Sequence, residues 1–123
     1  MHYQLPPHCE MKLITCLKGE ILDVVVDLRR DSPTFLQSHT LSLSATNNIS
    51  FLIPKGFAHG FQTMTDNVEL LYFHSTFYNK EAERGLNPED PKLGLNWPIQ
   101  VKFLSRRDSS QPFINDDFQG INL

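Results

Sequence analysis

Among the groups in this sequence with chemistry to offer are imidazoles at His2, His8 and His59, carboxylates at Glu10 and Asp23, and an ammonium at Lys12. An imidazole titrates near pH ~6.5, so it can take or give a proton at neutral pH, and it also ligates metals. A lysine ammonium is a compact charge suited to an oxygen on which negative charge develops. His2, His8, Glu10 and His59 together are also of the right kind for a divalent metal, so that reading stands beside proton transfer. His59 lies in PKGFAHGF, where Pro54 and Gly56 set a turn and the strand after it points the histidine inward. Asp23 sits in ILDVVVDL, and an inward carboxylate there needs a partner, with Lys12 the candidate across a hairpin. Asp27, Arg29 and Arg30 in DLRRDSP read instead as groups that hold a turn together.

The elements that must position these groups read as strands. KLITCL (residues 12–17) is an apolar run closed by Lys18-Gly19, and ILDVVVDL (residues 21–28) follows, rich in β-branched residues. Two strands so close across a glycine predict a hairpin. HTLSLSA alternates polar and apolar at period two, as a half-buried strand does. ISFLI, AHGFQTM and VELLYFHSTFY continue the series, separated by Pro54-Gly56 and Asp66-Asn67. Helical periodicity is confined to one turn at NKEAERG (residues 79–85). A proline-rich stretch, NPEDPKLGLNWP, leads to a short strand expected near residues 101–104, and the polar tail from Ser109 to Leu123 reads as irregular. Many short strands between turn signals predict an all-β barrel or sandwich, with residues 1–123 as a single domain.

Composition excludes other classes. Hydrophobic residues make up 40% and charged residues 20%, ordinary for a globular protein, and the net charge is −3. Nucleic-acid binding calls for a basic stripe, and the lysines and arginines here are scattered apart from the pairs Arg29–Arg30 and Arg106–Arg107. No run of about 18 apolar residues and no charged-then-apolar leader occurs, so no membrane span or secretory signal is expected. Cys9 and Cys16 are read as free thiols, and a cytoplasmic location follows as the expectation.

HYQLPPH, DLRRDSPTF, IPKGFAHGFQT, ELLY-x5-Y, EAERG, GLNWP and LSRRD occur in an order, and with separations, that resemble the dTDP-4-dehydrorhamnose 3,5-epimerase family. The resemblance runs from His2 to about Phe113. It implies a cupin-type β-barrel (jelly roll) that epimerises C3, C5 or both of a dTDP-4-keto-6-deoxy-hexose through an enolate, without cofactor or metal. Such chemistry needs a base and an acid on opposite faces of the sugar and positive charge near the enolate oxygen. By resemblance, His2 is the base, Asp108 the carboxylate that orients it, Lys12 the enolate stabiliser and Tyr72 the opposing proton donor. His59, Tyr78, Glu83 and Arg107 fall on substrate-binding positions, Arg107 suiting a pyrophosphate because its fork donates two parallel hydrogen bonds. Asp23 is placed behind these as a supporting residue.

The family carries a substantial segment ahead of the histidine motif, and that segment is not found before His2 here. SPTFLQS also stands where the family has an SPTFGKW-like stretch, and NPEDP where it has RW-x-DP. Two rivals follow: a homologue that binds a sugar nucleotide without catalysis, and a metal-dependent cupin. For the latter, PKGFAH resembles a second cupin motif, but Pro6-Pro7-His8 lacks the paired histidines of the first. A homodimer is expected, because sheets of this kind pair at their edges.

Overall fold

In the computed structural model, which describes residues 1–123, eight strands and one short helix follow one another along the chain. They are β1 (His2–Gln4), β2 (Lys12–Lys18), β3 (Glu20–Asp27), β4 (Ser38–Ser44), β5 (Ser50–Ile53), β6 (Phe57–Thr63), β7 (Glu69–His74), β8 (Glu83–Gly85) and α1 (Arg106–Ser109). Two antiparallel sheets form: one of five strands in the order β4-β3-β6-β1-β8, the other of three in the order β5-β2-β7. Packed face to face, they make the all-β barrel that the strand pattern predicts, of the cupin type that the resemblance implies.

Side-chain alternation divides the apolar residues into two cores. Ile14, Cys16, Ile21, Val25, Leu43 and Ile53 point between the sheets. Val24, Val26 and Ala58 point out of the other face of the five-stranded sheet, where Leu86, Leu93, Ile114 and Ile121 of the C-terminal segment cover them. β3 is therefore buried on both faces, which is why it reads as a continuous apolar run and not as an alternation. β4 has only its Leu41 and Leu43 face packed inward, and its sequence alternates. Cys9 and Cys16 are both buried free thiols in separate cores.

The hairpin expected from KLITCL and ILDVVVDL does not form. β2 pairs with β5 and β7, β3 pairs with β4 and β6, and Gly19 carries the chain from one sheet to the other. A single connecting residue is too short for a two-residue hairpin loop. Gly19 takes φ +74°, and a Cβ there would lie 2.6 Å from Thr65 Oγ1, so the crossing requires glycine. The helical turn expected in NKEAERG is also replaced. Asn79 Oδ1 accepts from the amides of Glu81 and Ala82, and the chain then straightens into β8 against β1. No strand forms at residues 101–104: Phe103 takes φ 56°, and α1 follows. The tail is irregular but docked, because the Ile121 amide donates to the Leu28 carbonyl at 2.6 Å. No helix is long and apolar enough to cross a membrane.

Candidate active site

The barrel interior is apolar at one end and polar at the other. His2 and Gln4 come from β1, Lys12 from β2, Asp23 from β3, His59 from β6, and Tyr72 and His74 from β7. β1 is only three residues long, yet it is paired on both sides: His2 faces His59 on β6 and Gly85 on β8. Met1 beside it is buried over Gly60. Pairing on both sides and the burial of Met1 hold His2 in place within so short a strand.

His2 Nε2 lies 2.5 Å from Asp108 Oδ1. Asp108 is set by α1: Ser105, its N-cap, accepts from the Asp108 amide at 3.0 Å and donates its hydroxyl to Oδ2 at 2.6 Å. Burial by itself would raise the Asp108 carboxyl, but the bonds from Ser105 and His2 outweigh it and hold the group below the usual carboxylate range. Desolvation lowers the pKa of His2, and the bond and charge of Asp108 only partly offset that. With the Nε2 proton directed at Asp108, Nδ1 carries the lone pair, and neutral imidazole is the favoured form. Nδ1 faces Arg107 Nη2 at 3.4 Å and Glu83 Oε1 at 3.8 Å.

Lys12 is buried, its ammonium 3.3 Å from Glu10 Oε1 and donating to the His2 carbonyl at 3.4 Å. Tyr72 packs edge to face on His59, with ring centroids 5.9 Å apart. Burial, reinforced by the Asp23 charge, pushes its hydroxyl well above the ordinary phenol range, so it holds its proton at neutral pH. Asp23 does not meet Lys12 across a hairpin as expected. Fully buried, it approaches His59 instead, with Oδ1 2.9 Å from Nε2, because β3 neighbours β6 and not β2. The approach lies off the imidazole N–H line, leaving a close charge contact in place of an aligned hydrogen bond. Desolvation lowers the His59 pKa, with Asp23 opposing.

Five of the nominated residues, His2, Lys12, His59, Tyr72 and Asp108, line one cavity of about 320 Å³, together with Trp97. A larger cavity of about 630 Å³ adjoins it and shares His2 and Lys12, with Glu10, His74, Tyr78 and Glu83 on its walls. Tyr78 is exposed and donates its hydroxyl to Glu83 Oε2 at 2.8 Å, while Arg107 pairs with Glu83 Oε1. All nine nominated residues thus converge, Asp23 from behind His59 and Arg107 through Glu83. The metal-ligand set His2, His8, Glu10 and His59 does not: His8 faces Asn79 at 3.1 Å, and no three such side chains gather.

Three wall residues, Trp97, His74 and Gln4, were not nominated from sequence, and Glu10 was named there only as a candidate metal ligand. Trp97, in the quoted GLNWP, donates its indole N–H to the Pro88 carbonyl at 2.8 Å and closes the smaller cavity. His74 stands two residues after Tyr72 and therefore on the same face, a periodicity that could have marked it. Gln4 has the same relation to His2 within β1.

An antiparallel β-barrel holding a histidine–carboxylate pair, an ammonium and a protonated phenol around one pocket defines the class: a cupin-type barrel equipped for proton transfer. A sequence model described as dTDP-4-dehydrorhamnose 3,5-epimerase matches residues 1–116, and the chain belongs to that family. It is 42% identical over 119 residues to the dTDP-4-dehydrorhamnose 3,5-epimerase of Shigella flexneri, a match covering 96% of this chain and 66% of that one. Among solved structures, the enzyme of that name from Elizabethkingia anophelis superposes with a TM-score of 0.91 at 38% identity, covering 95% of this chain and 65% of its own. The dTDP-6-deoxy-D-glucose-3,5-epimerase of Legionella pneumophila, solved in complex with dTDP-4-keto-L-rhamnose, gives 0.89 at 35% identity, covering 99% and 66%. The chain spans just under two thirds of the length of these relatives.

Proposed function

We propose that this chain epimerises C3, C5 or both of a dTDP-4-keto-6-deoxy-hexose through an enolate. The observation that carries the reading is the single pocket in which the His2–Asp108 pair, Lys12 and Tyr72 meet. The 4-keto group acidifies the hydrogens on C3 and C5. Nδ1 of His2 removes one of them as general base, and Asp108 stabilises the imidazolium that forms. The Lys12 ammonium faces the oxygen that becomes the enolate, where a fixed charge in a poorly hydrated pocket acts strongly. Tyr72 then donates its proton to the opposite face of the carbon, which inverts the centre. His59, held by Asp23, Tyr78 and the Glu83–Arg107 pair contact the sugar and its diphosphate. No cofactor enters this scheme.

The reading extends to a homodimer. The outer face of the three-stranded sheet exposes Leu52, Leu71 and Phe73, with Leu13 opposite both Leu52 and Phe73 in register. A contiguous apolar patch of this kind fits a second copy, through the face of the sheet rather than its edge. The test of the activity is incubation with dTDP-4-keto-6-deoxyglucose in D2O, following the C3 and C5 proton signals by NMR. Signal loss at either carbon, abolished by His2→Ala in a folded protein, is expected. Retained exchange in the variant would refute His2 as base, and no exchange in the wild type would refute the epimerase reading.

A further inference from the structure

Glu10 is a pocket carboxylate for which the proposed reaction has no task. It lies between the Pro6–Pro7 turn and β2, and its side chain is 9% exposed. Gln4 donates its amide N–H to Oε2, while the Lys12 ammonium stands 3.3 Å from Oε1. The same amide group of Gln4 also donates to the His8 carbonyl at 3.1 Å, which anchors the carboxylate's support to the backbone. The other oxygen within reach of Lys12 is the His2 carbonyl, at 3.4 Å. A lysine stem is flexible, and a compact ammonium has no planar fork to fix its direction. A buried carboxylate, in turn, is costly without a charge partner. Each group therefore holds the other.

The cavities show where the ammonium is held. Lys12 lines both of them, whereas Glu10 lines the larger and is absent from the walls around Tyr72 and His59. Glu10 thus restrains Lys12 from the side away from the proton donor and leaves the ammonium at the junction. The other ionisable groups around the pair are His74, with Nδ1 4.0 Å from Glu10 Oε1, and His2, His59 and Tyr72 across the cavity, with Asp23 behind His59.

We propose that Glu10 is a positioning residue, which fixes the Lys12 ammonium at the junction of the two cavities and acts on the reaction only through it. The inference rests on the epimerase reading for the reaction it serves, but not for the geometry. The first test is a double-mutant cycle in the full chain with Glu10→Ala, Lys12→Met and the pair, read as C3 and C5 exchange in D2O. Glu10→Ala is expected to lower the rate at saturating substrate by about 10-fold or more with KM within about 2-fold, and to cost less than about 2-fold once Lys12 is Met. Glu10→Gln, which keeps the shape and one acceptor oxygen, is expected to recover part of the rate. An equal loss in both Lys12 backgrounds overturns the proposal. The second test needs no substrate: 13C relaxation at the Lys12 Cε, assigned by its absence in Lys12→Met. An ordered Cε that loosens in Glu10→Ala and Glu10→Gln supports the proposal, and an unchanged one overturns it. Should the wild type fail to exchange any sugar proton, the epimerase reading falls while this second test still decides the role of Glu10.

Discussion

Replacing Asp108 with Asn keeps the shape of the side chain and removes its charge. The bond lost is short, 2.5 Å from His2 Nε2, and both side chains are roughly 70% buried, with exposures of 30% and 27%. Charge-assisted hydrogen bonds contribute about 1.5–3 kcal/mol net, and the partial exposure argues for the lower half of that range. At about 1.4 kcal/mol per factor of ten, this alone costs roughly 10- to 30-fold in turnover. An asparagine N–H can also donate to Nε2, which would move the imidazole proton to Nδ1 and block the proposed base, so about 100-fold is a fair upper expectation. The pH profile supplies a second readout. Asp108 raises a His2 pKa that desolvation has already lowered. Without the carboxylate that pKa falls further, so the acid limb of kcat/KM must move to lower pH while the plateau drops. Deuterium exchange at the sugar carbons, measured from pH 5 to 9, reads both. A variant with the wild-type plateau and an unmoved acid limb would refute the dyad.

Three further outcomes follow from the same geometry. Asp27 is 1% exposed and accepts from the Arg29 amide and guanidinium, from Ser32 Oγ at 2.5 Å and from Thr34 Oγ1 at 2.7 Å, which holds its carboxyl well below the usual range. Asp27→Asn should lower stability by about 2–4 kcal/mol, or roughly 10 °C in Tm, and should flatten the loss of stability below about pH 4, because a depressed carboxyl stabilises only above its unfolded pKa. His2 and His59 both have lowered folded pKa values, chiefly through desolvation, so their contribution is present above about pH 6.5 and is lost as pH falls through it. Calorimetry should therefore show a lower Tm at pH 5.5 than at 7.5, with a smaller difference in His59→Gln; a Tm flat across that window would contradict the desolvation argument. Phe73→Glu puts a charge into the exposed apolar face and should convert a dimer to a monomer by light scattering, whereas an unchanged mass would place any interface elsewhere.

Most of the strands were legible because β-branched runs and period-two alternation are local signals, and β3, β4, β5 and β6 fall where those signals lie. What local patterns do not carry is which strand pairs with which. β2 and β3 read as a hairpin, yet β2 is satisfied by β5 and β7 and β3 by β4 and β6, and only the sharp turn at Gly19 hints at the change of sheet. The same long-range choice sent Asp23 to His59 rather than to Lys12. β8 was missed because three residues give no periodicity, and Glu83–Gly85 extend only because β1 lies beside them. Of the site, His2, Lys12, Tyr72 and Asp108 were legible through their motifs, not through spacing: His2 and Asp108 are 106 residues apart, and no pattern within the chain joins them. His74 carried a weaker signal, inward periodicity two residues after Tyr72, and Glu10 was read only among metal ligands.

If base and acid work from opposite faces of one sugar, Tyr72→Phe separates their two steps. With the phenol gone, His2 can still remove a C3 or C5 proton and return a deuteron to the same face. Deuterium incorporation should therefore persist in the substrate, monitored by NMR in D2O, while formation of the inverted sugar falls by about 100-fold or more. Inversion at the wild-type rate in Tyr72→Phe would rule Tyr72 out as the acid, because some other group would then be delivering the proton to the far face.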